Sequence, residues 1–218
     1  VSTICLNVAS GLYGDAAIAA MSVVSRVMTM ANSALIGFGQ GFQPVCGFNY
    51  GARLYDRVRE GFRFCVKWGT IFLVAASVAG WFFAPQLVAI FRNDPEVVAF
   101  GSRAMRCQCA TFPLAAYALM SNMMTQTMGK TLPATILAAA RQGLFFIPAV
   151  MLLPLWLDQW GVQLAQSVAD VLSFALTLVM MRRVFLHLQE EEHASMLLRH
   201  QQQQPIHTVI PPEHGETD

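Results

Sequence analysis

The sequence predicts an all-α membrane protein, a stub helix followed by five full spans. Three observations carry this. Of the 218 residues, 55% are hydrophobic and only 12% are charged, about half the charged share of an ordinary soluble domain. Mean hydropathy is +0.47, so there is too little polar material to coat a globule in water. Apolar runs of the length a bilayer needs, about 20 residues, recur between short turns built from Gly, Pro, Asn and Asp.

The elements run in order. Val1 to Ser10 is apolar but too short to span, and reads as the remnant of a longer helix in a longer protein. Gly11 to Asp15 is a turn, and Asp15 suits an N-cap. A helix rich in Ala, Ser, Met and Gly runs from about Ala16 to Cys46, small residues that suit close helix contact in lipid. The next starts amphipathic near Arg57 and is apolar from Trp68 to Phe91. Asn93-Asp94-Pro95 is a turn, with Asp94 or Asn93 capping the helix after it. A helix from about Gly101 to Met128 contains Pro113. Gly129 to Pro133 is a tight turn. Ala134 to Trp156 contains Pro148 and Pro154. Asp158-Gln159-Trp160-Gly161 turns the chain into the last span, Val162 to Leu186.

These elements define a transmembrane lobe over residues 1–187. Residues 188–218 are rich in Glu, Gln and Pro, and read as a disordered cytoplasmic tail. Alternating helix direction puts Arg53, Arg57, Arg59, Arg63, Lys67, Lys130, Arg141, Arg182 and Arg183 on one side, and Arg92, Arg103 and Arg106 on the other. The excess of cations marks the cytoplasmic side. Tyr13 and Trp160 fall where an outer aromatic belt would lie. Net charge is +1, and no basic field suggests nucleic acid.

Catalytic chemistry finds no foothold. All five histidines lie at or beyond His187. The lobe therefore offers no Ser-His-acid or Cys-His pair, and it has no metalloprotease or phosphate-loop motif. The five cysteines read as small buried hydrophobes, and no metal site is expected. Two charges fall near mid-membrane, Arg26 and Asp170. They read either as a proton- or cation-responsive site or as a structural ion pair. Amides recur on helices that should be apolar: Asn32, Gln40, Gln43, Asn122, Gln126, Gln142, Gln163 and Gln166. They bond within helix interiors or line a cavity for an amphiphilic ligand. Met120, Met123, Met124 and Met128 share a helical face, as core packing or as an adaptable binding surface.

One stretch organises the chain, Gln40-Gly41-Phe42-Gln43-Pro44-Val45-Cys46-Gly47-Phe48-Asn49-Tyr50-Gly51-Ala52. It closes the first full helix and opens the arginine-bearing loop. Its glycines free the backbone, and Pro44 removes a donor.

This stretch resembles the signature of the MATE family (multidrug and toxic compound extrusion), with Phe48 where Tyr is usual. Phe91 to Val97, Gly129-Lys130 and Ala140 to Pro148 are similar to its MepA-like bacterial branch. The resemblance implies two six-helix lobes that rock about a shared cavity. This chain would be the second lobe, its first helix truncated. Gln40, Gly41, Gln43, Pro44, Gly47, Asn49, Tyr50 and Gly51 would form a cytoplasmic hinge end. Met120, Met123, Gln126, Gln142 and their neighbours would supply cavity wall. The implied activity is efflux of amphiphilic organic cations by antiport, driven by a proton or sodium gradient across the bacterial inner membrane. The resemblance also implies that the ion site lies in the missing N-terminal lobe, whose first helix carries the family's key acidic residue. Gly101 to Met128, where some members hold sodium, has no carboxylate here. A lipid-linked or polysaccharide flippase, and a non-transporting fragment or interaction module, are the alternatives. The partners implied are lipid, the missing lobe and the cationic cargo.

Overall fold

The computed structural model describes the backbone of residues 14–203, and their side chains except at 141, 142, 155, 157–159, 195 and 198–203. The elements are α1 Asp15–Gly51, α2 Tyr55–Phe82, α3 Ala84–Phe91, α4 Pro95–Thr111, α5 Leu114–Thr127, α6 Thr131–Ala139, a π-helical segment Ala140–Leu144, and α7 Phe146–Gln203. No strand occurs among the described residues. The stub and Tyr13 lie outside them. Asp15–Gly51, Tyr55–Phe82 and Trp160–Ala194 are each long and apolar enough to cross a membrane as one helix. The other two expected spans are assembled from shorter helices, and proline accounts for each join.

Proline has no N–H for the carbonyl four residues back, and its ring crowds that carbonyl. Pro113 ends α4, yet Phe112 and Pro113 keep right-handed helical angles (φ −55° and −57°), so α5 continues onward. Pro148 stands four residues beyond Leu144, where the π segment ends. There the Phe145 N–H reaches back five residues to the Ala140 carbonyl at 3.1 Å. Pro85 leaves the Trp81 carbonyl without its helical donor, and the Arg106 Nε of α4 lies 3.4 Å from that oxygen. Arg106 therefore partners a backbone group that proline freed, as well as counting toward the charge balance.

α7 is helical throughout, but it is not straight. A Cβ added at Gly161 would collide with the Leu153 carbonyl and the Pro154 nitrogen. In a straight helix, residues eight apart sit about 12 Å apart along the axis. The chain therefore folds back between Pro154 and Gly161, at the turn the sequence predicts. Val150 and Val162, on either side of it, are both fully buried in one core cluster.

Two apolar clusters hold the bundle. One joins the Asp15 end of α1 to α3, α4 and the α7 fold-back through Met21, Val24, Val88 and Met105. The other joins the Gly51 end to α2, α5 and the far part of α7 through Leu35, Phe62, Leu73, Met120 and Met181. Asp94 is the N-cap of α4, its carboxylate accepting from the Glu96 N–H at 3.1 Å. Asp15 sits one place inside its helix, behind Gly14.

The boundary after His187 differs from expectation. Helix continues to Gln203, where composition predicts a disordered tail beginning at residue 188. Leu188 is fully buried in the second cluster, and Glu192 is ion-paired. Those contacts offset the ordering entropy that composition alone could not.

Because backbone rather than a flexible side chain opposes it, Gly161→Ala should force the fold-back open. Thermal unfolding in detergent should show a loss of about 1–3 kcal/mol. Gly41→Ala, which meets open space, should be neutral or stabilising by up to about 1 kcal/mol.

Candidate functional site

One face of α1 is exposed from Arg26 to Phe48. Arg26, Met30, Ser33, Gly37, Gln40, Gly41, Pro44 and Phe48 recur at intervals of three and four and stand exposed. Such residues form a single stripe on a helix. A stripe holding Arg, Ser, Gly and Gln at membrane depth suits protein or water and not hydrocarbon.

A second flank of α1 carries Asn32, Gly39 and Gln43, again on one face by spacing. Gly39 packs on the Met123 side chain of α5. The seam needs a glycine because the thioether occupies the space a Cβ would take. Asn122 and Gln126 lie beside Met123 and bond to each other through amide and carbonyl. The Asn32 Oδ1 is buried without a partner among the described residues. Gln43 lies one turn beyond Gly39 on this flank, while Asn32 lies about two turns before it. The Gln142 side chain lies outside the described residues.

The methionine stripe belongs to the core. Met120 and Met124 are fully buried, and Met123 and Met128 nearly so. Met120 and Met123, expected as cavity wall, here fill the space left by Gly39 and Gly69. Gln163 is also interior, with its Oε1 buried and unpartnered among the described residues.

Arg26 and Asp170 are not brought together. Arg26 is exposed on the α1 stripe and makes no ion pair among the described residues. Asp170 is buried on α7, where the Gln166 Nε2 lies 3.3 Å from its carboxylate. Matching depth on two helices does not fix which faces they present.

The signature stretch is helix to its end and not an opening loop; α1 carries Pro44 inside and stops at Gly51. Gly41 and Gly51 face open space, whereas Gly47 packs on the Thr127 Cγ2 of α5, 3.1 Å from where a Cβ would lie. Asn49 returns its amide to the Val45 carbonyl at 2.8 Å. The helix closes with Leu54 N–H on the Asn49 carbonyl and Arg53 N–H on the Tyr50 carbonyl. Arg53 takes φ 57°, the left-handed cap position where glycine is favoured. The same closure ends α5, with Gly129 at φ 70° in that place.

The far part of α7 clasps this end. Tyr50 donates its hydroxyl to Glu191 at 3.4 Å. His187 Nε2 lies 3.2 Å from the other oxygen of Glu191. Arg59 meets Glu192 at 2.8 Å, their side chains only 16% and 13% exposed. Tyr50 also stacks edge-on against Tyr55 at 5.8 Å. Lys130, in the turn after α5, is pushed down from the usual lysine pKa by burial, with Glu191 opposing that shift. Sequence reasoning missed Glu191, Glu192 and Arg59, because composition assigns the acidic run to a solvated tail. The usable signal was the 3.6-residue continuity of Val184 and Leu188 across the presumed boundary.

No group of His, Cys, Asp and Glu among the described residues could hold a metal ion. Cys46, Cys65 and Cys109 are buried and free.

Both the sequence and the fold have known relatives. The family model MatE matches residues 1–152. The multidrug export protein MepA of Staphylococcus haemolyticus is 25% identical over 159 residues, 70% of this chain and 33% of that protein. The probable multidrug resistance protein YpnP of Bacillus subtilis is 22% identical over 161 residues, 74% and 36% of the two chains. The chain thus spans about a third of the length of these curated relatives. Among solved structures, a MATE in the bent conformation superposes with TM-score 0.82 at 17% identity, covering 88% of this chain and 43% of that one. The Vibrio cholerae MATE transporter VcmN in the bent form gives 0.77 at 18% identity, covering 90% and 43%. These likenesses establish the fold.

Glu192→Gln should leave the Arg59 guanidinium mostly buried with a weaker partner. We expect a loss of about 2 kcal/mol, read as faster amide hydrogen exchange over Phe48 to Leu54. Unchanged exchange there would show that the clasp does not hold the signature end. Arg53→Gly removes the left-handed strain and should stabilise by up to about 1 kcal/mol, visible as a raised unfolding temperature in micelles.

Proposed function

We propose, from the premise that this chain belongs to the MatE family, that the whole transporter exports amphiphilic organic cations by antiport against a proton or sodium gradient. This chain supplies the second lobe. The observation that carries the reading is the exposed stripe of α1, from Arg26 to Phe48. A full-length membrane helix with Ser, Gly and Gln along an uncovered face suits a surface shared with another lobe and a watery cavity.

In this reading Asn32, Gln43, Asn122 and Gln126 border the cavity. Neutral amides there can bond polar groups of varied cargo without demanding a fixed charge pattern. The coupling ion is held in the first lobe. Cargo and ion bind the outward and inward states with different affinity, and that difference drives the cycle. The signature end and the clasp face the cytoplasm, in line with the excess of Arg and Lys there. A flippase for lipid-linked cargo calls for a basic cavity, and Arg26 is the stripe's only cation.

Efflux of a cationic dye by the complete protein, with the proton and sodium gradients collapsed in turn, tests the proposal. Loss of efflux on collapse of one gradient is expected, and efflux indifferent to both would refute antiport. Asp170→Asn should leave that ion dependence intact if coupling resides in the first lobe. A changed ion dependence would move the coupling site to α7.

A further inference from the structure

A groove separates α1 from α2, about a quarter-turn around α1 from the exposed stripe. It encloses a cavity of about 230 Å³ lined by Ala34, Leu35, Phe38, Trp68, Gly69 and Phe72. The lining is apolar, and Phe38, Trp68 and Phe72 remain substantially exposed at its mouth. Gly69 shapes its floor, since a Cβ there would lie 2.9 Å from the Leu35 Cδ1. Toward the Gly51 end α1 and α2 remain packed through the buried Phe42. Gly41 faces open space, and Gly61 packs against the Phe42 ring.

A cation stands on α2 beyond the groove, toward the Gly51 end of α1. Arg57 precedes Trp68 by eleven residues on α2, about three turns, which returns it to the same helical face. It is exposed and makes no ion pair among the described residues. The separation along the axis is about 16 Å, close to half the thickness of a bilayer's hydrocarbon core. Counting about 20 residues back from Phe82 brings the edge of that core to Phe62, little more than a turn from Arg57. An apolar slot within the leaflet and a guanidinium at its edge match a molecule with an alkyl chain and an anionic head.

We infer that this groove binds one anionic phospholipid of the cytoplasmic leaflet. An acyl chain lies between Phe38, Trp68 and Phe72, and the phosphate sits on Arg57. Arginine presents a planar fork to phosphate oxygens, and basic pockets between membrane helices favour acidic head groups. An amphiphilic cation in the same slot would be repelled by Arg57. The site rests on the cytoplasmic orientation proposed above and on no part of the transport cycle.

Native mass spectrometry of the complete protein tests the inference. The protein is released from nanodiscs containing equal phosphatidylglycerol and phosphatidylcholine. Wild type should retain phosphatidylglycerol selectively. Arg57→Gln should lower that selectivity by about fivefold, the weight of one arginine at a membrane surface, while still retaining lipid. Ala34→Phe, which fills the slot from its exposed wall, should abolish retention of either lipid. Equal retention of the two lipids by wild type, or unchanged selectivity in Arg57→Gln, overturns the site. Retained lipid in Ala34→Phe equal to wild type overturns it too, as does a groove that proves covered by the first lobe and lipid-free. Dye efflux from vesicles of the same composition separates the two readings. Efflux without retained lipid sinks only the lipid site, and retained lipid without efflux sinks only the transport reading.

Discussion

In hydrocarbon every backbone N–H and C=O must find its partner within the protein. The rest of this fold depends on how the chain meets that condition while carrying prolines inside its helices. The solutions differ with place. At Pro113 the helix restarts almost in line. Before Pro148 it widens into a π turn, and Phe145 reaches back one residue further than usual. At Pro85 a side chain from another helix, Arg106, approaches the freed Trp81 carbonyl. The last solution ties two spans through the backbone of one of them. Its strength does not depend on apolar burial, which contributes little between helices already in lipid.

Close approach supplies the remainder. Gly39 admits Met123, Gly69 admits Leu35, and Gly80 admits the Cys109 thiol, whose sulfur lies 2.8 Å from where a Cβ would stand. Each contact brings two helices nearer than branched side chains allow, and dispersion at short range accumulates over such seams. Methionine fits this use because its unbranched chain adapts to the space that remains. Asn122 and Gln126 flank Met123, the residue that packs on Gly39 of α1. Packing and the candidate cavity wall are therefore built by the same residues' neighbours.

Much of the fold was legible because each boundary has a local chemical cause. Asp94 or Asn93 as a cap, a tight turn opening at Gly129 and a turn closing at Gly161 could be named from the chain alone. The site was less legible. A methionine stripe at helical spacing has the same pattern whether it faces a core or a cavity. Residue counts predict one depth for Arg26 and Asp170, but depth says nothing of azimuth, and no ion pair among the described residues joins the two side chains. The acidic run after His187 misled because composition measures solvation and not partners. Arg59 and Tyr50, far back in the chain, give those carboxylates somewhere to go.

The unbroken rod from Gly161 to the clasp has a mechanical consequence. Glu191 lies thirty residues beyond the fold-back, an arm of about 45 Å. A five-degree swing about the fold-back would carry its tip by about 4 Å at that length. Contacts of 2.8 to 3.4 Å cannot stretch so far and survive. The final helix and the signature end must therefore tilt as one plate, or part company altogether.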